Sequence, residues 1–166
     1  MKKIDGLWFL IVLFVVAVDQ FSKSLAMQYL TLSQSVEVTS FFNLTLSYNN
    51  GAAFSFLHQS GGWQRWFLSG VAMIVCIIIL VWFYRERRSP KRLVKWALML
   101  ILGGALGNLF DRLSLGYVID FLDFHWYDWH FAAFNLADSA ITLGAGLLFL
   151  DIFIDEKAMK RLENKQ

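Results

Sequence analysis

The chain has 166 residues, 57% hydrophobic and 17% charged, with a mean hydropathy of +0.50 and a formal net charge of +2. Soluble domains are roughly 45–50% apolar, and a chain this short has too little interior to hide the excess; the composition excludes an ordinary soluble globular protein and points to lipid as the solvent. A single cysteine, Cys76, lies inside an apolar run, which excludes an internal disulfide and a multi-cysteine zinc site and reads as a small hydrophobe.

Four stretches are long and apolar enough to approach the roughly 20 residues that a spanning helix needs. In chain order they lie at about 4–25, 66–84, 96–110 and 134–153. The expected architecture is one membrane domain over 1–166, an all-α bundle of four transmembrane helices with a small β-sheet region on its outer face. The second stretch carries no charge, and the third is short and extended by polar residues.

The first stretch begins after Lys2 and Lys3 and ends near Ser24-Leu25-Ala26, a pattern that a cleavable signal peptide shares. Asp19 and Lys23 make a poor cleavage region, and removing this helix would leave three spans. Asp19 and Lys23 stand four apart, so they share a helix face; they read as a structural pair turned toward the bundle.

Between the first and second spans, Phe42, Leu44, Leu46 and Tyr48 alternate with Asn43, Thr45 and Ser47. Period two predicts a strand with one greasy face, within an outer β segment at about 36–58. Asn49-Asn50-Gly51 predicts a turn after it. An open sheet edge is not tolerated in hydrocarbon, so this segment belongs at the membrane surface.

Between the second and third spans lie Arg85, Arg87, Arg88, Lys91, Arg92 and Lys95. With Lys2 and Lys3 before the first span, and Lys157, Lys160, Arg161 and Lys165 after the fourth, twelve of the fifteen basic residues fall on one side. The positive-inside rule places both termini in the cytoplasm. Most tryptophans, Trp8, Trp63, Trp66, Trp82 and Trp96 among them, fall near span ends, where interfaces favour such rings.

On the third span, Gly103, Gly104 and Gly107 allow close helix approach. They precede Asn108, Asp111 and Arg112, which project from one side of the helix end. A snorkelling Arg with a paired Asp explains this equally well. After it, Asp120 stands in the apolar string Tyr117-Val118-Ile119-Asp120-Phe121-Leu122. At the fourth span, Asn135 and Asp138 have the spacing of a helix N-cap and its third residue, and taken alone that is the better account of them.

Two carboxylates at one membrane face, both in apolar settings, are what an aspartic protease needs. One activates water while the other, protonated, donates to the scissile carbonyl. Asp123 and Asp128 compete with Asp120 for that role, and spacing does not decide between them. There is no His-Glu-x-x-His, and His58, His125 and His130 lie in outer segments without a helical partner. Ser69 and Ser139 lack an intramembrane histidine, and no nucleic-acid signature is present. A small transporter or channel subunit is the alternative function, since it also places paired charges in a bundle; one polar cluster at one face makes a poor through-pathway.

Five strings together resemble the bacterial lipoprotein signal peptidase (signal peptidase II) family. They are Asp19-Gln20-Phe21-Ser22-Lys23, Asn49-Asn50-Gly51-Ala52-Ala53-Phe54, Gly107-Asn108-Leu109-Phe110-Asp111-Arg112, Val118-Ile119-Asp120-Phe121, and Phe134 through Ile141. Each is weak alone; five in order, from Asp19 to Ile141, are specific. The resemblance implies an aspartic endopeptidase of the bacterial inner membrane, with no metal or cofactor. It would cleave diacylated prolipoproteins just before the lipidated cysteine and be blocked by the cyclic peptide globomycin. It implies Asp120 and Asp138 as the catalytic pair, and Asn49, Gly51, Asn108, Arg112 and Asn135 as substrate-orienting residues. Asp19, Lys23 and Asp111 would support them. Membrane lipid and the lipid-anchored substrate are the implied partners.

Overall fold

The computed structural model describes residues 3–51 and 62–163, with side chains over 6–51 and 62–156. Four helices carry the chain: α1 (Lys3–Tyr29), α2 (Trp63–Glu86), α3 (Arg92–Ser114) and α4 (Leu136–Glu163). Each contains a segment long and apolar enough to cross a membrane, namely Gly6–Tyr29, Trp63–Glu86, Arg92–Ser114 and Leu136–Glu156. All four expected spans are present, and their ends differ where polarity is buried. The third was expected at 96–110 and is longer at both ends, because Lys95, Asn108 and Asp111 are buried in the bundle rather than solvated. The fourth was expected from 134 and starts at Leu136, after Asn135 caps it.

α3 is the hub. Within its span window 67% of residues are buried, against 22% for α1, 22% for α2 and 11% for α4. The glycines explain why two helices can close on it. A Cβ on Gly103 would stand 2.7 Å from Val15 Cβ of α1, and one on Gly104 would stand 2.3 Å from the Ala137 carbonyl oxygen of α4. Only hydrogen fits at either place. On its remaining side α3 presents Val94, Leu98 and Leu102 to Cys76, Ile79 and Phe83 of α2, which makes the main apolar core. Cys76 is thus a buried packing residue, as expected.

The bundle is closed at one end by a four-stranded antiparallel sheet in the order β1 (Ser35–Thr39), β2 (Phe42–Asn49), β3 (Val118–Trp126), β4 (Trp129–His130). It caps the end where α1 and α3 finish and α2 and α4 begin. The greasy face expected on 42–48 is there: Leu44, Leu46 and Tyr48 pack with Ile119 and Phe121 of β3 and with Ala26 near the end of α1. Part of the expected β segment, 52–58, and His58 with it, lies outside the described residues. The partner strand β3 comes from the string that carries Asp120. Val118 through Phe121 are all buried, so this stretch has no solvent-exposed face and shows no alternation for a period-two search to find. The register places Ser47 opposite Asp120 and Asn49 opposite Val118, beyond an irregularity between Leu44 and Ser47.

Candidate active site

β3, α3 and α4 bring the polar residues together at the sheet end of the bundle. Successive residues of β3 point to opposite faces. Ile119 and Phe121 enter the small core under the sheet, while Val118 and Asp120 line a cavity of about 800 Å³. Asp138, in the first turn of α4, lines the same cavity from the other side, with Asn49, Asn108 and Arg112 between. Residues Phe131–Phe134 and the α4 side chains Ile141 and Leu143 give it an apolar wall. Leu143 is largely exposed on the bundle surface, so this wall runs out toward the lipid-facing side.

Each carboxylate is held by amide donors. Asp120 accepts from Asn135 Nδ2 at 2.7 Å on Oδ1 and from Asn49 Nδ2 at 3.0 Å on Oδ2. Asp138 accepts from Asn108 Nδ2 at 2.7 Å on Oδ1 and from the Asn135 backbone N–H at 3.3 Å on Oδ2. The two are joined through two amides, because Asn135 Nδ2 also donates to Asn108 Oδ1 at 3.2 Å. Asp120 is 2% exposed. Burial first, and then the Asp138 carboxylate, push its carboxyl up to about 7, against the opposing hydrogen bonds from Asn49 and Asn135.

The capping account of Asn135 and Asp138 is also correct. Asn135 Oδ1 accepts the Asp138 N–H at 2.9 Å, while Asp138 Oδ2 accepts the Asn135 N–H. This is a reciprocal box of the kind that opens many helices. The cap and the site are one arrangement, since the bonds that begin α4 also fix the Asp138 side chain against the cavity.

Arg112 enters the cavity rather than snorkelling. Its Nη2 donates to the Gly51 carbonyl at 3.3 Å, and its charge acts on Asp138 and on Asp120. Gly51 is held in turn by its N–H donating to Asn49 Oδ1 at 3.0 Å, the expected turn. Asp111 does not face the cavity. It is 1% exposed and pairs with Lys23 at 2.7 Å on the side of α3 turned to α1. Lys23 also pairs with Asp19 at 2.8 Å, so the expected α1 pair is present with an added partner. Gln20 joins this cluster through a 2.8 Å bond to Asp111 Oδ1; only its place beside Asp19 in the sequence pointed to it.

The competing carboxylates sit elsewhere. Asp123 bonds His130 Nδ1 at 3.0 Å, and Asn43 and Thr45 of β2 also reach it. It serves the sheet. Asp128 lies in the exposed turn between β3 and β4. Among the described residues no group of three or more His, Cys, Asp or Glu side chains could hold a metal ion.

Residues 11–154 match the protein family described as signal peptidase (SPase) II. This chain belongs to the signal peptidase II family. It is 49% identical over 155 residues to the lipoprotein signal peptidase of Photorhabdus laumondii, with 92% of each chain covered. It is 51% identical over 150 residues to that of Citrobacter koseri, covering 90% of this chain and 92% of the relative. A solved structure of a bacterial membrane enzyme, obtained by the in meso method, matches the fold with a TM-score of 0.80 at 34% identity, over 91% of this chain and 90% of that one. Signal peptidase II enzymes are aspartic proteases, and membership sets aside the transporter or channel alternative.

Proposed function

We propose that this signal peptidase II processes prolipoproteins through Asp120 and Asp138, cutting just before a cysteine that already carries diacylglycerol. The observation that carries the assignment is the shared cavity. It holds two hydrogen-bonded carboxylates, one of them almost wholly buried, beside an apolar wall that reaches the lipid-facing side. A lipid-anchored substrate would enter along that wall with its acyl chains still among lipid.

The chemistry follows from the different surroundings of the two acids. The pair holds one proton in the working state, and it resides on Asp120, whose carboxyl is pushed up to about 7. The Asp120 O–H donates to the scissile carbonyl oxygen. The Asp138 carboxylate removes a proton from water, whose oxygen adds to the carbonyl carbon. As the tetrahedral intermediate collapses, the C–N bond breaks and Asp138 returns its proton to the departing amine. Asn49, Asn108 and Asn135 hold the acids, while Arg112 and Gly51 orient the substrate backbone. No metal or cofactor takes part. The cluster of Arg85, Arg87, Arg88, Lys91, Arg92 and Lys95 around the α2–α3 connection supports both termini in the cytoplasm and the sheet outside, in the inner membrane of a bacterium. Globomycin, as a cyclic peptide, would occupy the same cavity.

The test uses the purified chain and a diacylglyceryl-modified prolipoprotein in micelles. Cleavage should occur, stop with globomycin, and be absent for the unmodified precursor. Asp120→Asn and Asp138→Asn should each abolish it while the proteins insert and purify normally. Turnover by either variant would refute the pair.

A further inference from the structure

Lys23 is 1% exposed, Asp19 0% and Asp111 1%, far from water and at the junction of α1, α3 and α4. A buried ammonium has to be fully paired, and this one is. It donates to Asp19 Oδ2 at 2.8 Å, to Asp111 Oδ2 at 2.7 Å and to Asn108 Oδ1 at 3.0 Å. An ammonium has three donors, so none is left over.

What those three acceptors do next is specific. Asp19 Oδ1 accepts the Ala137 N–H at 2.9 Å, which is the peptide just before Asp138. Asp111 Oδ2 also accepts the Ile119 N–H at 3.3 Å, the peptide just before Asp120. Asn108 receives two donors on Oδ1, from Lys23 and from Asn135, which leaves only its Nδ2 to face Asp138. An amide turned the other way would present an oxygen to the Asp138 carboxylate and repel it. Gly107 makes room for this, because a Cβ there would stand 2.6 Å from Asp19 Oδ2.

We propose that Lys23 is the positioning residue of the catalytic pair: its single ammonium sets the places of the two strand and helix segments that carry the acids and fixes the polarity of the Asn108 amide. The proposal rests on the assignment of Asp120 and Asp138 as the pair. Lys23 touches neither acid directly. It acts through Asp19 on α4, through Asp111 on β3, and through Asn108 on the Asp138 side chain. The charged groups of this neighbourhood are Lys23, Asp19, Asp111, Arg112, Asp120 and Asp138. The Lys23 charge also opposes the upward shift of Asp120, so its removal raises that carboxyl further.

The experiment compares Lys23→Met with the parent chain in the same micelles, measuring kcat, KM and the rate against pH. Partners that orient metal ligands from behind cost about 10- to 100-fold when removed, and a loss of that order is expected for a partner that orients catalytic carboxylates. The expected result is a folded protein with kcat lowered by about that factor, KM within about threefold, and the alkaline limb of the profile moved to higher pH. A folded Lys23→Met with parental kcat and profile overturns the proposal. So does a kcat loss that only tracks lost thermal stability with the limbs unmoved. If Lys23→Met does not fold, Lys23→Arg carries the test. Its planar guanidinium cannot aim three N–H groups from one nitrogen at three converging acceptors, so kcat should still fall; parental kcat, or failure of both variants to fold, overturns the proposal. Asp138→Asn, assayed alongside, separates the two claims. Turnover in that variant refutes the pair itself, whereas its inactivity beside an unaffected Lys23→Met refutes only the role of Lys23.

Discussion

Asp138 carries two duties, closing the capping box with Asn135 and facing the cavity with its other oxygen. The duties separate in Asp138→Ser. The hydroxyl is too short to take over the water, while Asn135 still caps α4. Stability should drop by at most about 1 kcal/mol, and turnover by about 10³-fold or more. Turnover close to the parent would mean that Asp138 is a cap alone. Asp123 gives the contrast. Its partners are His130, Asn43 and Thr45, so Asp123→Asn should keep most of its turnover in the same cleavage assay and lose some stability of the outer sheet. Residue types were legible from the sequence here, and partners were not. The spacing of Asn135 and Asp138 showed the cap. That Asn135 also holds Asp120 at 2.7 Å depends on a contact across fifteen residues, which no local pattern encodes.

Among the elements, α3 had the shortest expected span, 96–110, and proves the most buried. Its polar end faces protein rather than headgroups, so hydropathy undercounts it, whereas the glycines at 103, 104 and 107 told the truth about close approach. Gly104 supports a direct test. A Cβ there would meet the Ala137 carbonyl at 2.3 Å and Ile141 Cγ1 at 2.8 Å, and Ala137 is backbone that cannot turn aside. Gly104→Ala should push the start of α4 off α3, costing about 1–3 kcal/mol and lowering turnover as Asp138 moves. Gly70→Ala on α2, where nothing lies within 4 Å, should leave cleavage unchanged. Equal behaviour of the two variants in thermal melts and cleavage would contradict the packing account. β2 was legible because one of its faces is greasy and the other polar. β3 was hidden as a strand because burial on both faces removes the alternation; only its carboxylate in an apolar string, and then the family motif, drew attention to it.

For the whole molecule, charge distribution carries the proposed orientation, and the fold gathers the candidate site at one end of the bundle. The basic α2–α3 connection is tied to α4, since Lys91 pairs with Asp151 at 3.3 Å and also with Asp155, at the end of the bundle away from the sheet. In a Cys76→Ala background, Ser89→Cys should be labelled only by reagents that enter the cytoplasm, and Tyr127→Cys, at the exposed β3–β4 turn, from outside. The reverse pattern would invert the topology and put the cavity on the wrong side for an exported precursor. The central claim is that one proton is held by two carboxylates, and the rate of prolipoprotein cleavage against pH tests it most directly. Below the working range the pair takes up a second proton and water loses its base. As pH climbs through about 7, Asp120 loses the proton it must donate. With substrate in fixed micelles and folding checked at both extremes, the rate should rise and then fall as a bell. A rate that climbs with pH and stays at a plateau, in protein that remains folded, would show a single base at work and contradict the pair.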